Sequence, residues 1–163
     1  MSRPTFAKAW AAAIRIYSPI DSGAKVAKII GGKVDLNIAP KGKWTNTCAV
    51  RMSYILNQSG HLIPFSPSKT VSGSNGQWHY YYVQDLITYL QRVWGKPDKV
   101  INYPVTNTEL KNKKGLILFS VTGWIGASGH ATLWNGSECY DSCYFASPET
   151  NYRTDQALFW ELK

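Results

Sequence analysis

The stretch HATLWNGSECYDSCY, residues 130–144, constrains the fold of this chain more than any other segment. Asn135-Gly136 separates two alternating segments, and this dipeptide favours a two-residue type I′ hairpin turn, in which both central residues need a positive φ. A turn of that length fixes the register so that His130 faces Asp141. Directly opposed side chains have Cβ atoms roughly 4.5–5.5 Å apart. The pattern therefore predicts an imidazole within hydrogen-bonding distance of a carboxylate.

A cysteine at the start of a predicted helix is the nucleophile that such a pair would activate. Cys48 lies in the sequence WTNTCAVRMSYILNQSG, where Thr45, Asn46 and Thr47 are all possible N-caps. The pattern predicts a helix over residues 47–59, with Cys48 in its first turn. The unpaired N–H groups and the positive dipole end of a helix favour a thiolate there. The backbone N–H of Cys48 could also donate to an oxyanion.

Each of these features has a structural explanation when it is taken alone. A single cysteine in a helix is usually a small buried apolar residue, and a cross-strand His–Asp pair is usually a structural hydrogen bond. The order of a helix-start cysteine, then a strand histidine, then an opposed aspartate is that of papain-like folds, so the combination favours nucleophilic catalysis. No CxxC or HExxH spacing occurs, and we expect neither a metal nor a cofactor.

The motifs NTCAVRMS, SGHATLW and YDSC resemble those of the type VI secretion amidase effectors, specifically their fourth family. These are NlpC-type, papain-like cysteine amidases that cut bacterial peptidoglycan stem peptides. The resemblance extends from residues 14–19 (IRIYSP) to the last strand. It implies that Cys48 is the nucleophile, His130 the general base and Asp141 the orienting acid. It also implies cleavage of the γ-D-glutamyl–diaminopimelate bond, and a cognate immunity protein in the producing cell.

One position departs from plant and lysosomal papain-like proteases, which place a glutamine for the oxyanion hole six residues before the cysteine. That position is Gly42 here, so another group must be the second oxyanion donor, and Asn46 is a candidate by proximity. Trp44 and Trp124 flank the predicted nucleophile and base in the sequence. We expect these two residues and Asn46 to bind substrate in the cleft, although the tryptophans could simply pack.

Composition limits the partners of the chain. With 163 residues, of which 44% are hydrophobic, residues 1–163 are expected to form a single catalytic domain. Eighteen Lys and Arg against ten Asp and Glu give a net charge of +8, which suggests an anionic partner such as a cell wall, a membrane surface, nucleic acid or an acidic protein inhibitor. The basic residues are scattered, so we expect no nucleic-acid binding. No run of about 18 apolar residues occurs, so we expect no membrane insertion.

The N-terminal segment predicts packing and not export. Residues 4–17 carry apolar side chains at helical spacing, with Pro4 in the first turn, and do not resemble a signal peptide. A protein made in the cytoplasm then needs a carrier to act in the periplasm of a target bacterium, and the resemblance implies the type VI secretion machinery. Cys139 and Cys143 either form a disulfide, if the strand ends near Asp141, or remain thiols. An oxidising destination favours the disulfide.

The remaining pattern predicts an α+β fold with N-terminal helices packed on an antiparallel sheet. The resemblance implies that this fold is of the papain-like, NlpC-type cysteine peptidase class. Helices are predicted over residues 4–17, 25–30, 47–59 and 84–94, and strands over residues 115–122, 130–134 and 157–162. Residues 35–45 and 64–77 are predicted as loops. Two other functions fit the sequence: a papain-fold acyltransferase or transglutaminase, and a non-catalytic basic module that binds cell wall or nucleic acid.

Overall fold

The computed structural model describes residues 2–163, which form an α+β fold with its five α-helices before the main sheet. The elements are α1 Phe6–Ile16, α2 Ser22–Ile30, α3 Gly32–Asn37, α4 Cys48–Gln58, β1 Thr70–Ser72, β2 Trp78–Tyr80, α5 Val83–Trp94, β3 Lys99–Asn102, β4 Gly115–Thr122, β5 Gly129–Trp134 and β6 Arg153–Glu161. Among these residues, no helix is both long enough and apolar enough to cross a membrane.

Four strands form an antiparallel sheet in the order β3-β6-β4-β5, which places β4 inside the sheet and β5 at an edge. Leu116 and Leu118 of β4 pack with the helices on one face. Ile117 and Phe119 pack in a second apolar cluster on the other face. The apolar run over residues 115–122 is therefore a central strand covered on both sides, as the sequence predicts.

Two helices, α1 and α4, position the start of α4 against the edge strand β5. α1 buries the small side chains of Ala9, Ala12 and Ala13, and it packs along α4. Small residues at a helix interface let the two axes approach closely. α4 in turn contacts β5, the edge strand, so the first residues of α4 meet the first residues of β5.

The turn after β5 differs from the predicted two-residue turn. Asn135 does not adopt the positive φ that a type I′ turn needs. Its side-chain oxygen accepts the backbone N–H groups of Ser137 and Glu138 at 3.0 and 2.8 Å, and this side-chain cap stabilises a wider turn. Trp134 pairs with Cys139 across the loop. The loop is therefore residues 135–138, and the predicted turn type is wrong.

The wider turn shifts the register by two residues. Asp141 now lies opposite Thr132, whose hydroxyl donates to the carboxylate, and not opposite His130. Side chains alternate between the two faces of a strand. A shift of two residues therefore leaves Asp141 on the same face as in the predicted register. His130 and Asp141 still meet, but as diagonal neighbours.

Three local predictions are also wrong. Thr5 caps α1, so Pro4 precedes the helix instead of lying in its first turn. Residues 35–37, predicted as loop, end α3, and residues 64–77, also predicted as loop, contain β1. β1 forms because it pairs with β2, and such pairing outweighs the low strand propensity of a Ser- and Gly-rich segment.

Replacing Gly115 by alanine should destabilise the sheet by about 1–3 kcal/mol. An added Cβ would lie 2.2 Å from the carbonyl oxygen of Trp160 on β6, and a backbone atom cannot move aside as a side chain can. Gly23→Ala is the matched control: its Cβ would contact only Ile38, at 3.5 Å, and a helix favours alanine. Urea unfolding measures both variants. Wild-type stability in Gly115→Ala would contradict the tight pairing of β4 and β6.

Candidate active site

Cys48 is the first residue of α4, where the sequence predicts it, and only 2% of the residue is exposed. The side-chain oxygen of Asn46 accepts a hydrogen bond from the backbone N–H of Cys48 at 3.0 Å. Asn46 therefore satisfies the first N–H group of α4. The Sγ atom faces the edge strand β5, 3.8 Å from the carbonyl oxygen of Gly129. The thiol therefore lies where the helix N-terminus meets the sheet.

His130 follows Gly129 on β5 and lies between the thiol and a carboxylate. Its side chain is hydrogen-bonded to Cys48, and its Nε2 atom is 3.0 Å from Oδ2 of Asp141. Tyr144 packs edge-on against the imidazole, with the ring centroids 4.8 Å apart. The structure thus brings together the three residues that the sequence singles out.

The Asp141 carboxylate is 2% exposed and is held by donors on both of its oxygens. Oδ2 accepts Nη2 of Arg51 at 2.9 Å. Oδ1 accepts the hydroxyl of Thr132 and the backbone N–H of Ser142. Sequence reasoning missed Arg51 and Thr132. The one available signal for Arg51 is its position three residues after Cys48, inside a helix that is otherwise largely apolar.

The electrostatics of the site favour an ion pair between Cys48 and His130. Burial opposes ionisation of the thiol, but the hydrogen bond and charge of His130, aided by the Ala131 backbone and Arg51, outweigh it, and the pKa of Cys48 is lowered. Burial likewise opposes charging of the imidazole, but Asp141 and Cys48 raise the pKa of His130 to about 9. A thiolate facing an imidazolium is the form of a cysteine that attacks carbonyl carbon.

The same balance keeps Asp141 ionised. Burial alone would raise the pKa of its carboxyl group, but His130, the Thr132 hydroxyl and Arg51 lower it. A carboxylate that stays charged can orient the imidazole and stabilise its protonated form.

Two clefts meet at the site. The larger has a volume of about 950 Å³, and its lining includes Cys48, Asn46 and Trp44. Trp44 stacks on Tyr81, with ring centroids 5.1 Å apart, and forms one wall.

The smaller cleft, of about 370 Å³, lies on the His130 side and is lined by Asn46, Trp124 and Tyr144. Trp124 packs edge-on against Tyr144, at 4.7 Å between centroids, and Tyr144 in turn packs against the imidazole. Both tryptophans therefore pack against aromatic neighbours and also line a cleft.

The two groups that the sequence suggests as oxyanion donors bond to each other, because the N–H of Cys48 donates to Asn46. Asn46 would have to turn away before that N–H could meet a substrate oxygen. Position 42 cannot hold the glutamine of the plant and lysosomal enzymes, since a Cβ on Gly42 would lie 2.3 Å from the carbonyl oxygen of Asn37.

Cys139 and Cys143 form a disulfide, with Cα atoms 5.5 Å apart. Of the two alternatives left open by the sequence, the disulfide is the one formed, because the strand pairing ends near Cys139 and the chain then turns. The bridge closes a short loop that contains Asp141. Cys48 is the free cysteine. Within residues 2–163, no group of three or more His, Cys, Asp and Glu side chains is arranged to hold a metal ion.

A family model and several solved structures indicate the same family for this chain. Residues 44–160 match the model of the family described as type VI secretion system amidase effector protein 4, or Tae4. The effector Tae4 from Salmonella typhimurium, solved in complex with the immunity protein Tai4 from Enterobacter cloacae, has a TM-score of 0.89 and 38% identity, over 99% of this chain and 100% of that one. Tae4 from Enterobacter cloacae has a TM-score of 0.87 and 38% identity, over 99% and 98%. A search of curated proteins finds no match.

Cys48 should react with iodoacetamide at a pH below that at which an ordinary thiol ionises, because His130 lowers its pKa. Unreduced protein should take up one label only, since the other two cysteines are bridged. Mass spectrometry of protein labelled across a pH series gives the midpoint of the reaction. His130→Ala removes the neighbouring cation and should move that midpoint upward. An equal midpoint in the two proteins would contradict the ion pair.

Proposed function

Because the chain belongs to the fourth family of type VI secretion amidase effectors, we propose that it is a cysteine amidase that hydrolyses the γ-D-glutamyl–diaminopimelate bond of peptidoglycan stem peptides. The observation that carries the proposal is the contact of Cys48 with His130, and of His130 with Asp141, where two clefts meet. A thiolate, a base and an orienting carboxylate are the groups that nucleophilic amide hydrolysis requires.

The first half of the reaction transfers the acyl group to the enzyme. The Cys48 thiolate attacks the amide carbonyl carbon, a C–S bond forms, and the carbonyl electrons move to oxygen. The His130 imidazolium then donates its proton to the amide nitrogen, the C–N bond breaks, and the amine leaves. Asp141 keeps the imidazole in the orientation that both proton transfers need. Because the pKa of His130 is raised to about 9, the imidazole is protonated at neutral pH and can supply this proton.

The second half releases the acyl group to water. Neutral His130 takes a proton from a water molecule as that water attacks the thioester carbonyl. The C–S bond breaks, and the product leaves as a carboxylic acid, which gives its proton to solvent at neutral pH. The pair of Cys48 thiolate and His130 imidazolium is restored. Each turnover therefore consumes one water and returns the site to its starting charge state.

The lining of the larger cleft supports a stem-peptide substrate. Lys43 and Asp85 place both signs of charge along it, and Trp44 and Tyr81 form an aromatic wall. Stem peptides carry free carboxylates and, on diaminopimelate, an amine, so both charges find partners there. We propose that Trp44 contacts substrate in this cleft and Trp124 in the smaller one. Asn46 lines both clefts and would lie beside the scissile bond.

The same geometry supports a papain-like fold of the NlpC type. The proposed nucleophile begins a helix, that helix packs at the edge of an antiparallel sheet, and the edge strand carries the proposed base. This arrangement places the thiol at the positive end of a helix dipole and within contact of the imidazole.

We further propose delivery by the type VI apparatus and action in the periplasm of the target bacterium. The disulfide suits that oxidising compartment. The related Tae4 effectors were solved in complex with Tai4, which supports a cognate immunity protein for this chain. The net charge of +8 favours an acidic surface on that partner.

Purified protein should release fragments from isolated peptidoglycan whose masses correspond to cleavage between D-glutamate and diaminopimelate. Cys48→Ala should lose on the order of 10⁴-fold or more of this activity, since members of such a unit act together. His130→Ala should be equally damaging. Asp141→Ala removes orientation and not the base itself, so its loss can be smaller.

The unfolding temperature of each variant serves as the control for folding. Folded Cys48→Ala with activity within about tenfold of wild type would refute the nucleophile. Fragments cut at a different amide would refute the bond and leave the cysteine amidase in place. Added amine acceptors should not change the products. Their incorporation in place of water would instead support an acyltransferase.

A further inference from the structure

Arg51 is a buried cation that the mechanism above does not use. It lies three residues after Cys48 on α4, so both side chains leave the helix on the same side. Only 8% of the Arg51 side chain is exposed. A charge buried to this extent is unfavourable unless it is paired and its donors are satisfied.

Contacts from several parts of the chain satisfy Arg51. Nη2 donates to Oδ2 of Asp141 at 2.9 Å, Nε donates to the Tyr140 hydroxyl at 3.3 Å, and Nη1 donates to the Ser22 hydroxyl at 2.6 Å. The guanidinium also lies over the ring of Tyr17, 5.3 Å from its centroid. These contacts fix the planar group in one orientation, which a flexible ammonium could not match.

Arg51 binds the same oxygen of Asp141 that faces the His130 imidazole, and so holds that oxygen in place. Oδ2 of Asp141 lies 2.9 Å from Arg51 and 3.0 Å from His130. The other oxygen is held by Thr132 and the Ser142 backbone. Without Arg51, Oδ2 would keep only the contact with His130, and the carboxylate would lose one of the donors that fix its orientation.

Arg51 also completes a row of alternating charges. Cys48 thiolate, His130 imidazolium, Asp141 carboxylate and Arg51 guanidinium follow one another in contact, and their charges sum to zero. The other titratable groups that face this row are Tyr17, Tyr140 and Tyr144. Removing Arg51 would leave one net negative charge buried, which disfavours the thiolate.

If the ion pair between Arg51 and Asp141 served stability alone, it would not need to lie in contact with His130. A buried pair adds little net stability, because desolvation offsets the attraction between its members. We propose that Arg51 is a positioning residue of the amidase reaction, which holds the Asp141 carboxylate against His130 and joins the Cys48 helix to the Asp141 segment. Its role in turnover rests on the proposed function. Its role in arranging the charged row does not, and can be measured without substrate.

The test compares Arg51→Gln, Arg51→Lys and the control Arg92→Gln. Arg92 lies on α5, is exposed and also lies over a tyrosine ring, so its replacement removes the same charge away from the site. In Arg51→Gln, the pH midpoint of Cys48 labelling by iodoacetamide should move upward, and kcat on stem peptide should fall on the order of 10–100-fold, as for other residues that orient catalytic ligands. KM should change little. Arg51→Lys should restore most of the midpoint but only part of kcat, and Arg92→Gln should match wild type.

Folded Arg51→Gln with a wild-type labelling midpoint would overturn the proposal. If that variant does not fold, Arg51→Lys decides, because wild-type kcat with a lysine would show that the fixed guanidinium contributes nothing. A shifted midpoint in a protein that does not cleave peptidoglycan would uphold the charged row and refute the amidase function.

Discussion

The buried carboxylate of Asp141 is the group on which the arrangement of the site depends. Its donors come from separate elements: Thr132 and His130 from β5, and Arg51 from α4. These elements can reach one carboxylate only because α4 packs against the edge of the sheet. The disulfide from Cys139 closes the loop around the same residue. Placement of one side chain therefore depends on the pairing of β5, the position of α4 and the covalent bridge together.

The charge balance explains why such a polar group of residues is tolerated in the interior. An isolated buried charge would shift its pKa and become neutral. In the row from Cys48 to Arg51, each charge faces an opposite one, so the raised pKa of His130 and the lowered pKa of Asp141 follow from the same contacts. Reactivity of the thiol and satisfaction of the buried groups are thus two results of one arrangement.

Features encoded by neighbours in the chain were predictable from the sequence. The cysteine at the start of α4 and the apolar run of β4 are set by capping and periodicity over a few residues. The register beyond Asn135 was not predictable from the sequence, because the Asn135 side chain caps a wider turn. The pairing of His130 with Asp141 survived that error because the shift was even. The role of Arg51 was not predictable, because its partners Tyr17, Ser22 and Asp141 are distant in the sequence. The spacing of residues along one helix does not indicate such contacts.

The central claim is that Cys48 carries the acyl group during turnover, and the mass of the intact protein measures this directly. A reaction with a synthetic stem peptide, quenched in acid within milliseconds to seconds, should contain protein heavier by the acyl fragment, and proteolysis should place that fragment on Cys48 as a thioester. Cys48→Ala should show no added mass under the same quench. An acyl fragment on any other residue, or the same added mass in Cys48→Ala, would contradict the account.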